Sequence, residues 1–466
     1  MLLSVEAATE ADPTGLAEVL LGALAVLSPG GTSRRLLHEV TRNLTRFRDE
    51  AEAAADAVLG RLAEESIVTF DVSGGLAAVH RVTGRVLRDR LAGAEIRQVV
   101  IEVVVRALER FTAHDLERHL PERAWVEHLA EQVDAVRSHD LDDDHARRVL
   151  RLRRSIGGYH LQVGDDDRAI TVLTEVVDEY RARSEDAGDD LRLSMTSLAQ
   201  ALGRVGRHGE AIAVQEEVLA AACARHGHVD PVHVALTRSN LAHFHRRAGN
   251  VDEALWLERR SWQHRRAFLG VEHPSTLMAQ LRVGVAHLAA GDVESAIRLL
   301  DSAESTCARV DPGSLLLLDL KVTLASAQLE AGRQEDGITR YEAVLADWSP
   351  SWGAVGDQSH VLVVAELVAL LRATGRHGEA LTHCEAALHR IDEQVRVRAA
   401  GLRLRGELAE LHHGAGRTGE AARIYEAMAR DAERVYGRDH PITRDCRERW
   451  AWFSGRQRAG VPATAT

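Results

Sequence analysis

The sequence predicts a chain that is all-α in bulk: a right-handed α-solenoid of paired helices, with a small N-terminal module that adds a β-hairpin. Three observations predict it. A short phrase opening on glycine recurs at Gly164, Gly206, Gly249, Gly291, Gly332, Gly375 and Gly416, spaced 42, 43, 42, 41, 43 and 41 residues apart, and a period in that range marks stacked supersecondary units. The residues before each glycine keep register: eight back lies an aliphatic (Ile156, Leu198, Leu241, Val283, Leu324, Leu367, Leu408), and seven back a small residue (Gly157, Ala199, Ala242, Gly284, Ala325, Ala409), with Val368 the exception. The composition, 45% apolar but only 4% aromatic, is that of helices built from Leu, Ala and Val.

In chain order, residues 1–15 read as a loose leader. Residues 16–92 form a separate module. Leu16 to Leu27 has helical spacing and is stopped by Ser28-Pro-Gly-Gly, and Thr32 is placed to cap a second helix to about Val40. A third helix covers about Glu52–Glu65. Ile67-Val-Thr-Phe-Asp and Leu76-Ala-Ala-Val-His, flanking Gly74-Gly75, read as a hairpin. Arg81 to Leu91 closes the module as a fourth helix. Residues 93–140 hold two helices, about 96–111 and 121–137, that lack the phrase and are expected to cap the stack. Residues 141–453 carry seven helix pairs and a final capping helix opened by His440-Pro441. The loop 349–358 is longer than the others, and 454–466 is expected to be a disordered tail.

The phrase has a physical reason. A helix that stops sharply wants a left-handed residue just past its end, which costs an L-residue about 1–2 kcal/mol and glycine little. Five residues on, six copies have alanine and one has Gly337. A larger side chain there would overpack the crossing of the two helices, at about 1–3 kcal/mol.

This register resembles the tetratricopeptide repeat family, in the longer variant of about 42 residues found in kinesin light chains and many bacterial signalling proteins. Leu269-Gly-Val-Glu-His-Pro-Ser-Thr276 and Tyr436-Gly-Arg-Asp-His-Pro-Ile-Thr443 are similar to that family's linker, and Thr237-Arg-Ser-Asn-Leu-Ala242 to its first helix. Where the family places an aromatic four residues before the glycine, this chain has His160, His245, His287 and His412. The N-terminal module, through Ala78-Val-His-Arg-Val-Thr-Gly-Arg-Val-Leu-Arg-Asp-Arg-Leu91, resembles the winged helix that follows the NB-ARC nucleotide switch in bacterial signal-transduction ATPases of the STAND class. The nucleotide domain itself is missing from the sequence. A phosphate loop needs Gly-x-x-x-x-Gly-Lys, and the single lysine, Lys321, lies in Asp-Leu-Lys-Val. The chain then reads as a free-standing regulatory half or as a piece of a longer ATPase.

Charge and motifs narrow the function. A net charge of −12 argues against a general nucleic-acid or membrane-surface binder. The helix that would enter a DNA groove carries Asp49, Glu50, Glu52, Asp56, Glu64 and Glu65 against Arg61, while the second helix and its exit carry Arg34, Arg35, Arg42, Arg46 and Arg48. There is no Gly-x-Ser-x-Gly, His-Glu-x-x-His or Ser-x-x-Lys, so no enzyme, cofactor or catalytic residue is expected. The 24 histidines include His226, His228, His233 and the pair His243/His245, but the recurring ones hold equivalent packing positions, and no metal site is expected. Cys223, Cys307, Cys384 and Cys446 are isolated and read as buried thiols of a reducing cytoplasm. No apolar run is long enough to span a bilayer.

The remaining candidate is a groove lined by the first helices. Nine residues before the glycines, where the resemblance implies a backbone-binding asparagine, stand Ser155, Ser197, Asn240, Arg282, Thr323, Glu366 and Glu407. Together with neighbouring inward positions, the expected site is Arg151, Arg154, Ser197, Gln200, Asn240, His243 and Arg282, polar to basic in its N-terminal half and acidic beyond. An amide clamps a peptide bond with one donor and one acceptor, and guanidinium holds a carboxylate with two. The function so implied is non-enzymatic recognition of a protein or peptide, as the sensor half of an NB-ARC-type signalling or defence system. The alternative is a peptide-sensing transcription regulator whose N-terminal module binds DNA.

Overall fold

The computed structural model describes residues 2–91, 96–112, 123–183, 188–224, 231–346, 353–391 and 399–459. They divide into two compact units, 1–197 and 198–466.

In the first unit, α1 (Leu2–Glu10) precedes α2 (Leu16–Val26), β1 (Thr32–Ser33), α3 (Arg34–Arg42), a 3-10 turn at Thr45–Phe47, α4 (Ala51–Glu64), β2 (Val68–Phe70), β3 (Leu76–Val79) and α5 (Arg81–Leu91). The apolar helix α2 is buried almost all round and packs on α3, α4, α5 and β3. The three helices, the hairpin and the closing helix lie where the sequence places them, with three differences. Residues 2–10 are helical rather than a loose leader, because Val5 and Ala8 are buried. The cap of α3 is Ser33, whose hydroxyl accepts from Leu36 N–H at 3.2 Å. Thr32 instead pairs with Ala77, so the hairpin gains β1 as a third strand in the order β1-β3-β2. At two residues, between the Gly30-Gly31 turn and α3, β1 is too short to show a strand period in the sequence.

Helices α6 (Ile96–Phe111) and α7 (Arg123–Arg137) follow. Buried Gln132 on α7 accepts from Ser28 N–H at 2.9 Å and donates to the Gly31 carbonyl at 2.9 Å, satisfying both ends of its amide against the loop after α2. Arg35 of α3 lies between the rings of Phe111 and Trp125. The first helix pair is α8 (Asp143–Val163) and α9 (Asp166–Arg183). Arg148 joins α8 to Glu102 and Glu109 of α6, and buried Arg153 joins it to Asp134 of α7 and Glu175 of α9.

The unit boundary falls within α10 (Gly188–Arg204). Beyond it run α11 (His208–Ala224), α12 (Pro231–Arg247), α13 (Val251–Leu269), α14 (Pro274–Ala289), α15 (Val293–Val310), α16 (Leu315–Glu330), α17 (Gln334–Ala346), α18 (Gly353–Ala373), α19 (His377–Arg390), α20 (Ala399–Gly414), α21 (Thr418–Tyr436) and α22 (Pro441–Ala459). From α11 onward each helix packs on the next in sequence, the nearest-neighbour pattern of a solenoid. Residues 353–358, expected in the long loop, begin α18, and 454–459, expected in the tail, continue α22, where Phe453 is buried against Tyr425. Cys307, Cys384 and Cys446 are buried as expected. Cys223, near the end of α11, is exposed rather than buried.

Every phrase glycine is left-handed, with φ between 76° and 84°. In all seven copies the glycine N–H reaches back three residues and the next N–H reaches back five (Asp165 to His160, Arg207 to Leu202, Asn250 to His245, Asp292 to His287, Arg333 to Gln328, Arg376 to Leu371, Arg417 to His412). This double bond closes the first helix. The carbonyl of that same next residue then accepts from the N–H five after the glycine, which opens the second helix. The six alanines there, and Gly337 in the fifth copy, are all buried. A single residue thus ends one helix and starts the other.

The small position seven before the glycine faces the residue nine after it. A Cβ on Gly157 would lie 2.8 Å from Leu173, and one on Gly284 2.7 Å from Leu300. Where the first partner is Val368, the second is Cys384, and both are fully buried. Volume is conserved across the pair. The same register holds Gln215 and Glu258 in the second and third pairs, where polar groups are buried. Neither amide atom of Gln215 has a hydrogen-bond partner.

Two outcomes follow for stability. Gly291→Ala, where the new methyl meets open space, should lose about 1–2 kcal/mol in urea denaturation, all of it from the positive φ. Gln215→Met, which keeps the shape and removes the unpaired amide, should gain about 1–3 kcal/mol.

Candidate interaction face of the helix repeats

The four histidines that replace an aromatic all turn toward the residue just after the glycine. His287 Nδ1 bonds Asp292 at 3.0 Å, Arg417 donates to His412 at 2.9 Å, Asn250 approaches His245 at 3.3 Å, and His160 lies 4.0 Å from Asp165. Gln328 plays the same part for Arg333 at 3.0 Å. These side chains brace the turn, which accounts for their periodicity. In the two His-Pro linkers, His273 and His440 accept from the N–H two residues on, so the histidine is the cap and the proline the first helical residue.

The seven expected site residues fall in two sets. In the first unit, Arg151 is paired with Asp190 at 3.1 Å, Ser197 spends its hydroxyl on the Leu193 carbonyl at 3.1 Å, and Arg154 is half-buried. Arg151 and Ser197 are thus engaged, while the buried Nε of Arg154 has no hydrogen-bond partner. In the second unit, Gln200, Asn240, His243 and Arg282 stand on α10, α12 and α14. His243 is exposed, with its Nδ1 accepting from Arg246 at 3.3 Å. Desolvation, followed by the charges of Arg246, Arg247, Arg282 and His208, holds its pKa below the ordinary histidine value. Structure therefore brings His243 and Arg282 together and adds Arg246 and Arg247, which the sequence reading had not selected. Asn240 and Gln200 make no side-chain hydrogen bond among the described residues. Exposed Leu236 lies one helical turn before Asn240 on the same face.

Ion pairing distinguishes this face from the last repeats. In the last repeats the expected acidic positions are crossed with arginines of the neighbouring first helix: Arg403 holds Glu366 at 2.9 Å, and Arg372 holds Glu407 at 3.4 Å. Arg449 pairs with Glu410 and Asp445 beside a cavity of about 500 Å³ lined by Leu402, Met428 and Ile442. Among the described residues Arg246, Arg247, Arg265 and Arg282 have no carboxylate within 4.0 Å. On a chain of net charge −12, repeats three and four carry unneutralised positive charge.

One carboxyl sits behind them. Glu258 of α13 is 5% exposed and accepts from Ser239 Oγ at 2.7 Å. Burial pushes its pKa up to about 7, against the opposing pull of Ser239, Arg282, Arg265 and Arg246. Sequence inspection missed it, although a glutamate in a register otherwise held by Leu, Tyr, Cys or Gln was a readable signal.

The raised pKa sets a sign. An unfolded glutamate ionises near 4.5, so between about 4.5 and 7 the folded chain keeps a proton that the unfolded chain has released, and stability falls as pH rises through that window. Glu258→Gln should therefore be more stable than the parent at pH 8, by about 1–3 kcal/mol, and indistinguishable from it near pH 4. Urea denaturation at both pH values measures it.

Comparison with known proteins gives three results. No curated protein matches the sequence. Among solved structures, kinesin-light-chain TPR-like repeats from Podospora anserina are 23% identical over 46% of this chain and 99% of that one, with a TM-score of 0.39. A Pyrococcus horikoshii STAND protein with a tetratricopeptide repeat sensor is 12% identical over 95% of this chain and 60% of that one, with a TM-score of 0.47. NprR in complex with its cognate peptide NprX is 14% identical over 76% and 98%, with a TM-score of 0.39. Tetratricopeptide-repeat family models match residues 192–233, 233–309 and 402–442. The tetratricopeptide-repeat resemblance is thus a family match over segments 192–309 and 402–442, about a third of the chain.

Proposed function

We propose that the chain is a non-enzymatic recognition scaffold that binds an extended, acidic protein or peptide segment along the first-helix face of repeats three and four. The observation that carries this reading is the set of arginines without carboxylate partners, beside an unengaged Asn240 and exposed Leu236. Arginines left without a carboxylate partner are free to take bidentate bonds from an incoming carboxylate. The amide of Asn240 is free to hold the partner's backbone. The N-terminal module, proposed as a winged helix, would make the chain the sensor half of an NB-ARC-type system, with residues 93–140 as the cap that joins it to the repeats. Gln132, buried in the joint, and Arg35, set over the Phe111 and Trp125 rings, support a tight coupling between module and cap.

The DNA-binding alternative has less behind it. Three of the five arginines that favoured it are engaged internally: Arg34 with Asp56, Arg42 with Glu39 and Glu52, and Arg35 over two aromatic rings; Arg46 and Arg48 remain exposed.

Capture of the partner by pull-down or crosslinking tests the reading. The Asn240→Ala, Arg282→Ala double variant should weaken capture about tenfold, for two polar contacts of roughly 0.5–1.5 kcal/mol each. Undiminished capture by a folded double variant removes this face from the account.

A further inference from the structure

We propose that Glu258 is a built-in competitor for the carboxylate of an acidic ligand, so that seating such a ligand against Arg246 and Arg282 drives one proton from solvent onto Glu258. The proposal rests on the recognition face just described and adds how that face is regulated.

The geometry is a count of protons. Glu258 Oε2, Ser239 Oγ, Ser261 Oγ and the Ala235 carbonyl oxygen form a buried chain with separations of 2.7, 3.0 and 2.7 Å. Three contacts need three hydrogens. With Glu258 ionised, the two serine hydroxyls supply only two, and one contact brings two lone pairs together. With Glu258 protonated, its O–H donates to Ser239, Ser239 donates to Ser261, and Ser261 donates to Ala235. The chain is then complete, and a buried polar network is strong only when every member is satisfied.

The surrounding charges pull the other way. Helices α12 and α14 pack on α13. Arg246 faces the carboxyl from α12, Arg282 from α14 and Arg265 from α13 itself, where burial likewise depresses the Arg265 guanidinium. His243 of α12 lies among Arg246, Arg247 and Arg282, and its lowered pKa keeps it neutral near pH 7. His287 of α14 is held by Asp292 and Arg259. In the free protein the three arginines and the Ser239 hydroxyl favour the ionised carboxyl, whereas burial and the missing hydrogen of the serine chain favour the neutral one. A ligand carboxylate on Arg246 and Arg282 cancels part of the first influence. The proton then binds, and no bond other than O–H forms.

Two consequences are measurable. Binding of an acidic ligand takes up protons. If the ligand raises the Glu258 pKa by one unit, affinity should rise roughly fourfold between about pH 8 and about pH 6.5. Calorimetry with a short synthetic peptide of Glu and Leu, in buffers of differing ionisation enthalpy, reads both quantities on the full chain. The expected result, for a one-unit rise, is binding with an uptake of up to about half a proton per peptide near pH 7.5, and no binding of the Gln counterpart. Glu258→Gln should bind at least as tightly at both pH values, with no uptake. Ser239→Ala, which breaks the chain at its first link, should reduce the uptake as a second check. Binding that is weakened by the Asn240→Ala, Arg282→Ala variant yet takes up no proton overturns the linkage alone, as does uptake that persists in Glu258→Gln. Failure of the Glu peptide to bind the parent chain, or binding untouched by that double variant, overturns the recognition face and the linkage with it.

Discussion

One backbone constraint organises most of this molecule: a left-handed residue at the end of each first helix. With φ near +80° that residue folds the chain back so that two amides close the old helix, and the next carbonyl opens the new one. The turn leaves no slack between the helices, and the residues seven before and five and nine after the glycine are forced into one crossing. Size at those positions is then no longer free. Gly against Leu, Ala against Tyr and Val against Cys are different solutions of the same volume condition. The bracing histidines make the turn a small polar structure in its own right, fixed from the first helix as well as from the glycine.

The same crossing explains why one carboxyl came to be buried. In a register that other repeats fill with apolar or phenolic side chains, the third repeat has Glu258, and serines on α12 and α13 surround it. A buried carboxyl without a full complement of donors is held close to neutrality by desolvation. Its arginine neighbours are consequently left without a strong internal anion. In the last repeats the first helices trade Arg and Glu across their contact. Repeats three and four differ from these by what their charges lack, and that deficit is the basis of the proposed receptive face.

Much of the fold was legible in the sequence because it depends on local rules. Glycine, alanine and aliphatic positions repeat with the helices they shape, and α5 and α6 begin and end at the residues their spacing indicates. What depended on tertiary partners was not legible. Thr32 joins a strand only because Ala77 lies beside it, and α1 is helical because Val5 has something to bury against. At the candidate face the choice of Asn240, His243 and Arg282 came from register alone. Whether an arginine is paired is a property of the neighbouring helix: Arg151 meets Asp190, whereas Arg282 meets no carboxylate among the described residues. Arg246 and Arg247 were passed over because nothing in the chain order marks them as unneutralised.

The central claim is that partners are held on the first-helix face of repeats three and four, and its most direct test is site-specific photocrosslinking. A photoreactive residue at position 243, on α12, is compared with one at position 256, on the outward face of α13, where Trp256 is exposed. The account predicts adducts with an acidic partner segment from position 243 and none from position 256. Adducts from position 256 alone would contradict it.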